Sequence, residues 1–398
     1  MSMKRSTKDR IRATHTGSLP RPPEMLDKMR AMAAGQPYDT DAYESALTKH
    51  VVETIRKQVA AGINTVTDGE CSKPSFTLYL AERLDGFESR MPSGGLPVPT
   101  GPMGIGGRDA AMFPDFYRNV LENNPFKHTI RMPPRVCVGP IRYVGRDKLQ
   151  RDIRNLKNAV QAAGADECFM PSSAPVYQSA NEFYKSEDEF FEAFGAAMRE
   201  EWKAILDAGI LLQVDFPTLV SAWDTKSNTM TLAEYRKWAE HRIAHLNHAM
   251  RGLPEDRIRF HTCYGVNFGP RVSDLGLEDI IDLIFTIKAG AYSFEAANPR
   301  HEHEFHVFER VKLPPGKILI PGAVTHSNVM IEHPEAVADH MERWARVVGV
   351  GNVIFGNDCG FQSTAGNTEI PMTVAWAKLQ ALGEGAQIAS KRLSAQTP

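Results

Sequence analysis

The sequence predicts an α/β protein, a single (β/α)8 barrel over residues 1–398. Two observations carry that expectation. Short apolar runs alternate with amphipathic helical stretches along most of the chain, the rhythm of repeated strand–helix units. The chemically distinctive side chains Ser18, Glu70, Ser172, Asp215, His261, Cys263, Glu295, His326 and Cys359 all fall at the carboxyl ends of strand runs, which a closed barrel gathers on one face. A doubly wound open sheet also suits the alternation, but it unites first-strand and last-strand residues only if it is sharply curled.

In chain order, a polar start is followed by a short strand that turns into a loop at Gly17, Ser18 and Pro20. Residues 41–61 read as a helix with Leu47, Val51, Val52, Ile55 and Val59 on one side and Gly62 as its stop. Residues 63–66 form a second strand that leads into Thr67-Asp68-Gly69-Glu70. An excursion follows at about 90–145, irregular and rich in proline and glycine as far as about 134. Long excursions of this kind in compact domains are often functional. Further strands are expected at 136–144, 168–170, 210–214, 258–260, 292–294, 318–320 and 353–355, and helices at 146–163, 187–208, 232–252, 277–288 and 334–347. That makes nine strands where a barrel takes eight. The 136–144 run is assigned to the periphery, because Gly139-Pro140 would interrupt a fully paired interior strand. Trp202, Trp223 and Trp238 are expected in the core.

An apolar fraction of 42% supports a substantial core, and a net charge of -2 leaves no basic surplus for a nucleic-acid partner. No apolar run is long enough to span a bilayer and no signal-like segment follows the start, so a cytoplasmic protein without a membrane partner is expected. Five cysteines without a secretion signal point to thiols or metal ligands. Cys71, Cys137 and Cys168 have no ligand-like spacing and are expected to be inert. A closed symmetric homo-oligomer is expected only on the general frequency of such assemblies.

One stretch suggests a metal. In Arg259-Phe260-His261-Thr262-Cys263 the imidazole and the thiol are two residues apart, so on a strand they emerge side by side. Two later runs end on Glu295 and on Cys359. Together His261, Cys263, Glu295 and Cys359 make a soft nitrogen and sulfur set that suits Zn²⁺ if the strand ends converge. Taken alone, His261 and Cys263 also read as a core histidine beside an inert cysteine. Arg300-His301-Glu302-His303-Glu304 is read as a polar loop supporting the site.

In the order His15-Thr-Gly-Ser-Leu-Pro-Arg21, His261-Thr-Cys263-Tyr264, Ser293-Phe-Glu-Ala-Ala-Asn-Pro-Arg-His-Glu-His303 and Asn357-Asp-Cys-Gly360, the chain resembles the cobalamin-independent methionine synthase family from about Arg12 to about Ser390. The likeness is to that family's catalytic barrel, and within it to the single-barrel branch that includes the epoxyalkane:coenzyme M transferases. The resemblance implies a TIM barrel of the uroporphyrinogen decarboxylase/methionine synthase type, Zn²⁺ on His261, Cys263, Glu295 and Cys359, substrate contacts from Ser18, Glu70 and Asp215, and a proton donor at His326.

Two departures stand out: Phe216 replaces a glutamate beside the family's aspartate, and a second, amino-terminal barrel half is missing. The implied activity is zinc-dependent alkylation of a thiol, foremost methyl transfer to a homocysteine-like thiol from a folate or methylated corrinoid. The alternatives are addition of a thiol to an epoxide, a non-catalytic zinc or thiol-binding protein, and a zinc-free lyase on a related barrel. Glu70 and Asp215 also read as helix-capping carboxylates, and His326 as part of a hydrogen-bonded turn.

Overall fold

The computed structural model describes residues 2–91, 93, 107–123, 128–175, 180–265 and 269–395. Its strands are β1 (Thr65–Val66), β2 (Leu84–Ser89), β3 (Arg135–Tyr143), β4 (Glu167–Ser173), β5 (Ala180–Asn181), β6 (Leu211–Asp215), β7 (Ile258–His261), β8 (Ala291–Phe294), β9 (Ile318–Val324) and β10 (Gly356–Asn357). Seven of them pair in parallel in the order β1-β4-β6-β7-β8-β9-β10.

The segment 12–14 closes the ring. Ala13 bridges Phe355 in parallel. Phe355 donates to the Arg12 carbonyl at 2.9 Å and its own carbonyl accepts from Thr14 N at 2.7 Å. On the other side Asn64 N donates to the Ala13 carbonyl at 2.8 Å. The result is the (β/α)8 barrel that the sequence predicts, with helices such as Thr40–Ala60, Arg146–Ala163, Glu187–Asp207, Leu232–Met250, Pro334–Val348 and Met372–Ala395 outside it.

Side-chain parity builds two cores. Phe169, Leu211, Ala291, Ile318, Ile320 and Ile354 pack with Met3 in one cluster inside the barrel. Their strand neighbours Met170, Leu212, Tyr292, Leu319 and Phe355 belong to the larger cluster under the helices. Alternate residues point to opposite faces, so strands buried on both faces read as unbroken apolar runs. One level above the inner apolar layer, Arg259 is fully buried. It donates to Thr14 Oγ1 at 2.9 Å and to the His15 carbonyl at 3.0 Å, and lies 3.8 Å over the Phe169 ring. It thereby fixes the closing segment across the bore.

The run at 136–144 is peripheral: β3 pairs antiparallel with β2 and parallel with β5 in a separate sheet. β2 was not expected. Its sequence carries Gly86 at φ +92, which a Cβ would drive to 2.6 Å from the Pro140 carbonyl, and the register shifts there. Such a bulge disguises the period-two pattern. The helix expected at 277–288 is two short turns, Leu277–Asp279 and Ile281–Ile284. The run is rich in β-branched isoleucine, and Arg236 binds the Asp279 carbonyl, removing an acceptor from the helical ladder. Trp202 is fully buried and donates to Ser172 Oγ at 2.9 Å, while Trp223 and Trp238 pack at the margin of the core.

Part of the excursion, residues 92, 94–106 and 124–127, lies outside the described residues. The remainder holds helices Arg108–Met112 and Pro114–Asn123 and reaches the carboxyl-end loops: Asp109 accepts from Ser273 N at 2.9 Å, and Ile130 donates to the Ala365 carbonyl at 2.9 Å. Among the described residues no helix is long and apolar enough to cross a membrane.

Candidate metal and substrate centre

β7 delivers His261, and Cys263 follows it at the mouth of the barrel. His261 Nδ1 lies 3.1 Å from Ser293 Oγ on β8. With the proton on Nδ1 and donated to that hydroxyl, Nε2 carries a bare lone pair, and it is buried without any hydrogen-bond partner. Cys263 Sγ and Cys359 Sγ are 3.1 Å apart. The ligand atoms of His261, Cys263 and Cys359 all lie within 4.8 Å of one another, and all three residues are buried.

The turn that presents Cys359 is braced from three sides. Asp358 N donates to the Val324 carbonyl, Asp358 Oδ1 accepts from Ala296 N and Ala297 N at 2.7 Å, and Asn357 Oδ1 accepts from Thr16 N at 2.7 Å. Gly360 is required by crowding, because a Cβ there would meet Ser18 Oγ at 2.0 Å.

Burial, with the charges of Arg259 and His326, lowers the His261 pKa to about 3, so the ring is a neutral donor at physiological pH. The Cys359 thiol is held well above its ordinary value by its hydrogen bond with Cys263 and by burial. Two thiols and an unpartnered imidazole nitrogen in a dry pocket are a donor set that fits a soft divalent cation such as zinc.

Glu295 sits next to this trio but is held by other groups. Its Oε1 accepts from Tyr264 N at 2.8 Å and its Oε2 from Asn298 Nδ2 at 2.9 Å, and Arg271 Nη2 lies 2.8 Å from Oε2. That last contact is an ion pair whose N–H does not align on the oxygen, since Nη2 has no hydrogen bond of good geometry. Glu295 also forms a second group of ligand-competent side chains with His326 and Asp358.

His326 Nε2 is 3.1 Å from the Gly265 carbonyl, to which it donates, while Nδ1 is buried without a partner. Burial lowers its pKa to about 4 against the pull of Asp358. Two residues that the sequence did not single out therefore frame this corner, Arg271 and Asp358. Asp358 at least stood inside a quoted motif; Arg271 lies in an aperiodic loop and carried no signal.

Ser18 and Glu70 follow adjacent strands, and Asp215 ends β6, with β4 between it and β1. Ser18 is joined to the cysteine turn through Phe361 N, which donates to its carbonyl at 3.0 Å. Glu70 is a non-glycine residue at φ 56, kept there by Asp68 Oδ1, which accepts from Glu70 N at 2.9 Å. Left-handed backbone at such a residue marks a conformation imposed by its surroundings. Glu70 Oε2 is buried without a partner. Asp215, bonded at 2.8 Å by Gln213 Nε2, has its pKa raised well above the carboxylate range by burial and by the charge of Glu70. Arg21, also buried, donates to the carbonyls of Glu70 and Lys73 at 2.9 Å and so fixes the loop carrying Glu70. Phe216, next to Asp215, turns its ring into the main apolar cluster, and its N donates to the His261 carbonyl at 2.8 Å.

Residues 172–379, more than half of the chain, match the family described as cobalamin-independent synthase, catalytic domain. The chain belongs to this family. Among relatives of the synthase, the uncharacterized protein YxjG of Bacillus subtilis is 25% identical over 381 residues, covering 93% of this chain and 92% of the relative. A methionine synthase of Sulfurisphaera tokodaii is 23% identical over 387 residues, covering 96% and 93%. Among solved structures, a B12-independent methionine synthase from Shewanella sp. W3-18-1 in complex with selenomethionine superposes with a TM-score of 0.70 at 21% identity, covering 97% of this chain and 99% of that one. At that identity the likeness concerns the fold, the barrel described above.

Proposed function

We propose that the protein is a zinc-dependent thiol alkyltransferase of the methionine synthase kind, which moves a methyl group onto an amino-acid thiol such as homocysteine. The observation that carries this reading is the convergence of His261 Nε2, Cys263 Sγ and Cys359 Sγ beside two buried carboxylates, Glu70 and Asp215. Zn²⁺ held there supplies a Lewis acid that keeps a substrate thiol ionised near neutral pH, where the free thiol is mostly protonated. His261, Cys263 and Cys359 are assigned as its ligands, with Glu295 as the fourth. Arg271, Asn298 and Tyr264 N already engage the Glu295 oxygens, so Glu295 would be the most weakly committed of the four ligands.

The carboxylate pair favours an amino-acid thiol. Asp215, which burial and the charge of Glu70 push toward the neutral form, is relieved by a cation, and the ammonium group of an amino acid provides one. A sulfonate such as that of coenzyme M brings a permanent negative charge to a corner where two acidic side chains already compete, which disfavours the epoxide-opening alternative. Ser18, on the turn that abuts Cys359, is assigned to the substrate carboxylate. His326 is assigned to the leaving group: Nδ1, the nitrogen without a partner, would receive the proton that the substrate thiol gives up, hold it beside the Asp358 carboxylate, and pass it to the departing nitrogen of a folate donor. The partners are thus a small thiol and a methyl donor, a folate or a methylated corrinoid.

The test combines metal analysis with product identification. Purified protein is expected to retain about one zinc per chain by the four-ligand logic, and Cys263→Ser to lose it. Homocysteine, coenzyme M and glutathione are then crossed with methyl-tetrahydrofolate, a methylated corrinoid and simple epoxides under mass spectrometry. Methionine is the expected product; an alkylated coenzyme M without methionine would overturn the amino-acid assignment. Asp215→Asn is expected to weaken homocysteine binding by about 2 kcal/mol or more, a KM rise of roughly 30-fold.

A further inference from the structure

In the outer helical layer, three side chains from two helices meet at one point. His241 and His245 lie on helix Leu232–Met250, four residues apart and therefore on the same face. Asp188 stands in the first turn of helix Glu187–Asp207, whose start is fixed by Ser186 capping Glu189 N at 3.1 Å. Asp188 Oδ1 is 2.8 Å from His241 Nε2 and 3.0 Å from His245 Nε2, and the two Nε2 atoms are 3.4 Å apart.

Those separations match a shared centre. Three donor atoms each about 2.1 Å from one ion stand roughly 3.0 Å apart at right angles and about 3.4 Å apart at tetrahedral angles. The alternative is that both imidazoles donate an Nε2–H to one carboxylate oxygen, an arrangement with little structural purpose here. The adjacent Arg242–Glu187 pair at 2.6 Å already ties the same two helices, and a single well-placed imidazole would satisfy Asp188. The rings are also held in place, His245 against Phe191 with centroids 5.4 Å apart and His241 edge-on to His245 at 4.8 Å. A carboxylate and two imidazoles exclude a preference for Ca²⁺ or Mg²⁺, which take oxygen ligands.

We propose that Asp188, His241 and His245 form a second metal site, for a borderline divalent ion such as Zn²⁺ or Ni²⁺, that clips the two helices together. It shares no residue with the cysteine centre, so it stands or falls separately from the proposed activity. Asp188 and His241 are exposed, which leaves the remaining coordination positions of the ion open to solvent.

The test takes untagged protein treated with a weak chelator, so that the exposed site is emptied, titrates it with Ni²⁺ by calorimetry at micromolar concentration and follows the thermal unfolding midpoint. One Ni²⁺ per chain and a rise in the midpoint are expected. Both effects should vanish in His241→Gln and in His245→Gln, persist in Cys263→Ser, and require about tenfold more metal or greater in Asp188→Asn. Since the His241 side chain is exposed, His241→Gln keeps the fold and carries the test even if His245→Gln disturbs the packing on Phe191. Absence of stoichiometric binding in the wild type, or binding that survives His241→Gln, would overturn the proposal.

Discussion

The side chain with most at stake is Arg271. It sits at φ 58, is buried, and spans Asp274 Oδ2 at 2.8 Å, Ser327 Oγ at 3.1 Å and the Glu295 carboxylate. A buried ion pair adds little net stability over apolar residues of the same size, but removing one partner leaves an uncompensated charge in a dry interior. In metal-free protein, Arg271→Met is therefore expected to cost about 3–5 kcal/mol in urea unfolding. The replacement keeps a Cβ, so the left-handed backbone adds no new penalty. Arg271→Met/Glu295→Leu should be more stable than Arg271→Met alone, because neither charge is then orphaned. An Arg271→Met variant within about 1 kcal/mol of wild type would show that water or Asn298 already screens Glu295.

At the scale of elements, the loop after β8 makes the site rigid. His301 stacks on Tyr264 with ring centroids 4.1 Å apart and bonds both Glu304 Oε2 at 3.0 Å and Asp274 Oδ2 at 3.1 Å. Burial alone would lower its pKa; the two carboxylates outweigh burial and raise it to about 9. A folded-state value above the unfolded value of about 6.5 means stabilisation that is complete below pH 6.5 and lost as pH rises toward 9. The stability gap between wild type and His301→Gln should thus be on the order of 3 kcal/mol near pH 6 and shrink steadily to pH 9. A gap independent of pH would mean that His301 is neutral and acts only by stacking.

The polar character of Arg300–Glu304 was legible in the sequence. Its partners Asp274 and Arg271 were not, because they lie in an irregular stretch where neither period applies. For the same reason β2, interrupted at Gly86, escaped notice. His261 and Cys263 were legible because two-residue spacing at a strand end has a geometric consequence, and the structure unites them with Cys359. The orientation of Glu295 toward Arg271 depends on a side chain that no local pattern announces.

The whole molecule is a ring whose first and last strands must meet, and the eightfold count was readable because parallel strands buried on both faces appear as apolar runs between helices. Closure also buries histidines that take up protons in place only well below the ordinary imidazole range. His15, bonded to Gln58 in the closing region, and His340, whose Nε2 donates to the Gly322 carbonyl at 3.0 Å, both have pKa values lowered to about 4 by burial, as does His326. Here the sign is opposite to that of His301. Between about pH 6.5 and 4 the unfolded chain binds protons at these positions and the folded chain does not, so stability falls as pH falls through that window. Each such group contributes a slope of up to about 1.4 kcal/mol per pH unit. Three acting together can exhaust a typical total of roughly 5–15 kcal/mol before the carboxylates themselves titrate. The metal-free protein is therefore expected to unfold in acid well above pH 4. His340→Gln, which keeps a donor for the Gly322 carbonyl and cannot be protonated, should flatten the decline of the urea midpoint between pH 6.5 and 4 by about one proton's worth. If its acid slope equals that of wild type, His340 is not held neutral, and the acid sensitivity of the barrel has to come from the other buried groups.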